Sequence, residues 1–93
     1  MTKLEKAVYF SDVLTRSEKW VMLYLAYILE KKGEAYVDLY KVADATGLSC
    51  RHLYRILKSL EEKGIIEVGW ERYGAIKPVK LTNAIKQNYT GGN

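Results

Sequence analysis

The sequence predicts a mainly α-helical domain closed by a small β-hairpin. Three observations carry that reading. A capping signal at Thr15 opens a ten-residue apolar run, Trp20 to Leu29. Two shorter helical patterns then flank the turn Thr46-Gly47-Leu48-Ser49. After Gly64 the apolar period drops from about 3.6 to 2, the change from helix to strand.

Ninety-three residues suit one domain, with 48% apolar and 28% charged residues and a single proline. A core this small makes dimerisation an expected source of further stability. Fifteen Lys and Arg against eleven Asp and Glu leave a formal charge of +4. An excess of that size says little until the charges are placed. With one cysteine, Cys50, and one histidine, His52, the chain has no internal disulfide, and metal chemistry and cofactors are not expected. Its beginning lacks the basic-then-apolar layout of a secretory signal. The ten-residue run is roughly half of what a membrane helix needs. The expected setting is the cytoplasm, away from membranes.

Residues 1–14 read as an N-terminal arm or short helix, with Val8, Tyr9 and Phe10 docking on the rest. Residues 15–83 form the domain proper, and 84–93 a C-terminal tail. Thr15-Arg16-Ser17-Glu18 has the capping-box pattern, so a helix starts near Arg16. Gly33 is its expected stop, with Lys31 and Lys32 in the last turn. Between these ends no polar face remains, which predicts burial on more than one side. One side suits the domain's own core; the other suits the N-terminal arm or a second subunit. Glu34 to Val37 suggest a short extended piece. Asp38 then caps a helix carrying Leu39, Val42, Ala43 and Ala45, which Gly47 ends. Ser49 caps the next helix, whose Leu53, Ile56, Leu57 and Leu60 recur at i, i+3, i+4 and i+7. Ile65 to Val68 and Ile76 to Leu81 read as paired strands about a turn at Gly69 to Gly74. Pro78 donates no ladder hydrogen bond, which predicts an edge strand. Thr82 to Gln87 suggest a short final helix, and Tyr89 to Asn93 a frayed end.

The run Leu39 to Gly64 carries the functional signal. Two short helices joined by a tight glycine turn, followed at once by a hairpin, form a helix-turn-helix with a wing. In that plan the second helix enters the major groove of duplex DNA. With the leucine stripe inward and about 100° per residue, Arg51, Arg55 and Lys58 fall on the outer side and Tyr54 on the flank. No acidic residue occurs from Ala45 to Leu60. Such a stripe meets phosphates without like-charge repulsion, and arginine can pair bidentately with guanine. Ser49, at the helix start, can offer its backbone or hydroxyl to a phosphate. His52 is a candidate contact to a phosphate or base, with packing on the preceding helix as the other reading. On the wing, Arg72 and Lys77 are the expected contacts, with Tyr73 beside them at the tip. Trp70 reads better as cover for the core edge. Cys50 lies where a helix dipole favours thiolate, yet a redox role is the weaker reading.

The stretch Val42-Ala43-Asp44-Ala45-Thr46-Gly47-Leu48-Ser49, with Leu53-Tyr54-Arg55-Ile56-Leu57-Lys58-Ser59-Leu60-Glu61-Glu62-Lys63-Gly64-Ile65-Ile66, resembles the winged-helix regulators of bacteria and archaea. It is similar to the MarR, PadR and ArsR-like groups, over about Thr15 to Thr82. The resemblance implies a homodimer on a palindromic site, with the wing on the flanking backbone. It carries over to Ser49, Arg51, His52 and Arg55 in the reading helix and to Arg72 at the wing tip. MarR and PadR types add a long C-terminal dimer helix, for which the residues after Thr82 leave little room. The dimer is therefore expected through the first long helix and the N-terminal arm. The plan also resembles small winged-helix proteins of archaeal plasmids and viruses. The expected function is sequence-specific binding of double-stranded DNA, most simply as a transcription regulator. Binding a partition or replication site and recruiting a protein partner is the alternative of the same chemistry. A winged helix serving as a protein-interaction module is the second class. An enzyme is not expected, since no nucleophile–base pair or phosphate-cradling loop is visible.

Overall fold

The computed structural model of the protein describes residues 2–82. Helix α1 spans Lys3–Tyr9, α2 Arg16–Leu29, α3 Leu39–Thr46 and α4 Cys50–Glu62. Strands β1 (Glu34–Asp38), β2 (Ile66–Val68) and β3 (Ile76–Leu81) form one antiparallel sheet in the order β1-β3-β2. The extended piece after the first long helix is thus a strand, and it joins the hairpin to make a three-stranded wing sheet.

Two capping boxes start the helical half. Thr2 Oγ1 accepts from the Glu5 N–H, and the Glu5 carboxylate accepts from the Thr2 N–H at 2.9 Å. Thr15 and Glu18 repeat the arrangement at the head of α2. The N-terminal segment is therefore a true helix, and its Leu4 and Val8 enter the common core. Tyr9 and Phe10 do not dock as expected. They stand 53% and 74% exposed and meet each other edge-on, because the face α1 turns to the core carries Leu4 and Val8, four residues apart, with Ala7 half-buried beside them.

Helix α2 ends at Leu29, earlier than the glycine signal suggested. Glu30 to Lys32 form the turn, and the Gly33 N–H returns to the Leu29 carbonyl at 2.7 Å. Val21, Met22, Leu25, Ala26 and Leu29 are buried, while Trp20 and Tyr27 are exposed. The core closes with Leu39 and Val42 from α3, the four-residue stripe of α4, and Val37, Ile66, Val68, Val79 and Leu81 from the sheet. No helix among the described residues is long and apolar enough to cross a membrane. The expected final helix and the tail, beyond Thr82, lie outside the described residues.

The sheet corrects one expectation. Pro78 sits in β3, the central strand and not an edge. Its carbonyl accepts from the Gly69 N–H at 2.8 Å, so its nitrogen faces the same side, beyond the end of three-residue β2. The missing donor falls where the ladder has already stopped. The Pro78 ring also lies over Gly69, where an added Cβ would sit 2.4 Å from Pro78 Cγ, so only glycine fits.

A buried carboxylate ties α2 to α4. Glu18 is 3% exposed. It accepts from Ser59 Oγ at 2.5 Å and from the Thr15 N–H at 2.7 Å, and it pairs with Lys63. Lys63 also donates to the Val13 carbonyl at 2.9 Å. Burial pushes the Glu18 carboxyl up, but the hydrogen bonds from Lys63, Ser59 and Thr15 outweigh it and hold the group at about 2, against an ordinary 4.5. A depressed folded value gives stability that is fully present above the ordinary value and lost as pH falls toward the folded one. Chemical denaturation is therefore expected to show stability falling between pH 4.5 and pH 2. Glu18→Gln should flatten that part of the profile, and an unchanged profile in the variant would place the acid sensitivity elsewhere.

Candidate nucleic-acid interface

The turn between α3 and α4 is built from its cap. Gly47 adopts φ 74°, ψ 15°, a left-handed conformation that costs a residue with a side chain free energy. An added Cβ there would meet nothing within 4 Å, so the dihedral and not space selects glycine. The Leu48 N–H returns to the Ala43 carbonyl at 3.1 Å. Trp20 Nε1 donates to the Thr46 carbonyl at 3.0 Å, which braces the turn from α2. Ser49 then caps α4, its Oγ accepting from the His52 N–H at 3.1 Å.

The amphipathicity of α4 sets the candidate surface. Leu53, Ile56, Leu57 and Leu60 are buried. Arg51, His52, Arg55 and Lys58 are exposed. His52 thus points outward and does not pack on α3. Among the described residues the ion pairs are Lys63–Glu18 and Lys80–Glu67, so neither Arg51 nor Arg55 is tied to a carboxylate. Ser49 is exposed at the head of this face, and its hydroxyl proton stays free to donate. Cys50 is half-buried against the core.

Tyr54 and Lys58 do a different job from Arg51 and Arg55. The half-buried Tyr54 ring packs on Trp70 with centroids 5.3 Å apart, and the Lys58 ammonium lies 5.5 Å from the Trp70 centroid. Both join α4 to the start of the wing turn. Glu61, one turn further along, completes the joint. Its carboxylate accepts from Trp70 Nε1 at 2.6 Å and from the Val68 N–H at 2.9 Å. Of the two acidic residues of α4, Glu61 is thereby engaged with the wing, while Glu62, in the last turn, is exposed.

Lys77 departs from the expectation of a phosphate contact. It is 6% exposed, and its ammonium donates to the Arg72 carbonyl and to the Trp70 carbonyl, the latter at 3.4 Å. Alternation along β3 turns Lys77 to the core side with Val79 and Leu81, and the wing turn supplies the acceptors its charge requires. Arg72 and Tyr73 stay at the surface, Tyr73 fully exposed at the tip and Arg72 5.3 Å from the Tyr36 ring centroid of β1. The structure thus groups Ser49, Arg51, His52 and Arg55 on the open face of α4, with Lys58 at its wing edge and Arg72 and Tyr73 on the wing. Glu18 was read in the sequence only as a capping residue; its contacts with Ser59 and Lys63, 41 and 45 residues away, were not, and neither were the roles of Glu61, Lys77 and Trp20, whose partners lie beyond any fixed local spacing.

A surface depression of about 590 Å³ lies on the outer face of the sheet and is lined by Glu34, Glu67 and Glu71 along with Lys32 and Lys80. Three carboxylates against two ammonium groups make it a poor neighbour for phosphates. The cationic face of α4 is the surface that suits a polyanion.

A buried helix stripe, an open cationic face and a wing joined to it define a winged helix-turn-helix DNA-binding domain. Over residues 13–66 the chain matches the model of a family described as a helix-turn-helix domain, and it belongs to that family. The match runs from the residues before α2 to the start of β2. No curated protein matches the sequence.

The buried ammonium of Lys77 yields a direct test. Lys77→Met keeps the stem but removes the donors, leaving turn carbonyls unpaired at a cost of about 1–3 kcal/mol. The expected result is that loss in denaturant unfolding, with faster hydrogen exchange at the Trp70 and Arg72 amides. Unaltered stability and exchange would show that the wing turn holds without the ammonium.

Proposed function

We propose that the protein binds double-stranded DNA sequence-specifically as a homodimer and regulates transcription, acting in the cytoplasm as a binder and not a catalyst. The single observation that carries this reading is the open face of α4. Arg51, His52 and Arg55 project from a helix fixed on its other side by four fully or nearly fully buried side chains. A helix of about 10–12 Å diameter fits the major groove, and its first turns meet base edges. Arg55 and Arg51 are the assigned base-reading residues. Ser49, His52 and Lys58 are assigned to phosphates beside them, and Arg72 and Tyr73 to the flanking backbone. Lys77 contributes by shaping the wing and not by touching DNA.

Homodimer formation draws support from the exposed aromatics of α1 and α2, since patches of this kind mark association surfaces. Two copies would present two reading helices to a two-fold symmetric site.

Salt-dependent fluorescence anisotropy on a labelled duplex tests the reading. Neutralising about five phosphates gives a log–log slope of about −4 to −5. Arg55→Ala is expected to lose about 1–3 kcal/mol on the preferred sequence and less on random duplex. An equal loss on both would place Arg55 on phosphate. A flat salt response would favour a protein partner for the same face.

A further inference from the structure

One stripe of α2 is left uncovered among the described residues. Arg16, Trp20, Leu23 and Tyr27, with the C-cap Glu30, recur every three or four positions along one side of the helix; Arg16, Trp20 and Tyr27 are exposed, Glu30 is half-buried, and Leu23 is half-buried with its inner side against the core. Trp20 is 54% and Tyr27 85% exposed, while Val21, Met22 and Leu25 away from the stripe, and Ala26 on its flank, are fully buried. Helix α1 reaches only one end of the stripe. There Tyr9, Arg16, Lys19, Trp20 and Leu23 line an open groove of about 370 Å³. Tyr27 stands past the other side of Leu23 as a projecting ring. A groove and a knob therefore share one face of one helix.

That face is complementary to itself in one orientation. Arg16 and Glu30 each lie seven residues from Leu23, about 10 Å along the axis in opposite directions. Laid antiparallel about Leu23, two copies of α2 bring Arg16 against Glu30 twice. The same register sets Tyr27 opposite Lys19, at the groove between Tyr9 and Trp20. A parallel pairing would instead oppose Arg16 to Arg16 and Tyr27 to Tyr27. Two-fold interfaces require a patch to fit its own copy, and aromatic residues with arginine are the side chains enriched at such contacts.

We infer that α2 pairs antiparallel with α2 of a second copy, centred on Leu23, with Tyr27 seated in the groove and Arg16 paired with Glu30 of the partner subunit. This rests on the homodimer of the function proposed above and names its surface and register. Both charges can be exchanged without harm to the helix, because an acid suits the first turn of α2 and a base its last.

Sedimentation equilibrium of the full chain tests the pairing. The wild type is expected to dimerise at concentrations up to roughly 100 µM. Arg16→Glu or Glu30→Arg alone should weaken the dimer roughly tenfold, since each turns two attractive pairs into repulsive ones. The two together should restore it. Tyr27→Ser should weaken the dimer at least as much, with thermal melting confirming that each variant is folded. A wild-type monomer throughout that range overturns both the pairing and the homodimer. A dimer that ignores both single charge reversals overturns this register and leaves the homodimer standing. Duplex binding by the same variants, measured separately on a half-site, judges the α4 reading alone.

Discussion

Everything in this structure depends on how α4 is held. Its inward stripe of Leu53, Ile56, Leu57 and Leu60 is buried among side chains from α2, α3 and the sheet. Burial of that stripe fixes the rotation of the helix about its own axis. The same rotation decides where Arg51, His52 and Arg55 point, because the two sets share one 3.6-residue repeat. Packing and recognition are therefore two sides of one constraint: a change in the leucines would re-aim the arginines.

Polar contacts refine what the apolar stripe sets. Glu18 reaches from the first turn of α2 to Ser59 and Lys63 at the far end of α4. Glu61 reaches from α4 to Trp70 and Val68 at the root of the wing. Both carboxylates are directed into the protein, so each strengthens a joint without presenting negative charge beside Arg51 and Arg55. Lys77 performs the mirror task with a positive charge, holding turn carbonyls that no strand pairs. Buried charged groups with partners of this kind specify one arrangement of elements, because each alternative leaves one of them unpaired.

The sequence made the helices and the turn legible because their signals are local. Thr15 with Glu18, Asp38, Gly47 and Ser49 act within four residues of themselves, and each acts in the structure as its pattern suggested. The α4 stripe was legible for the same reason. Elements that depend on distant partners were not. Pro78 argued for an edge strand, and only the shortness of β2 and the addition of β1 explain its place in the centre. Lys77 read as one more cation near a basic loop, yet strand alternation turned it inward. Tyr9 and Phe10 read as docking residues from their apolarity alone, and the phase of α1 left them outside.

The most direct test of the account is an amide chemical-shift titration of the labelled protein with a short duplex at low ionic strength. The largest perturbations are expected at Ser49 to Lys58, with smaller ones at Arg72 and Tyr73 and little change on the outer face of the sheet at Glu34 and Glu67. Perturbations centred on the sheet face, with α4 silent, would contradict the account.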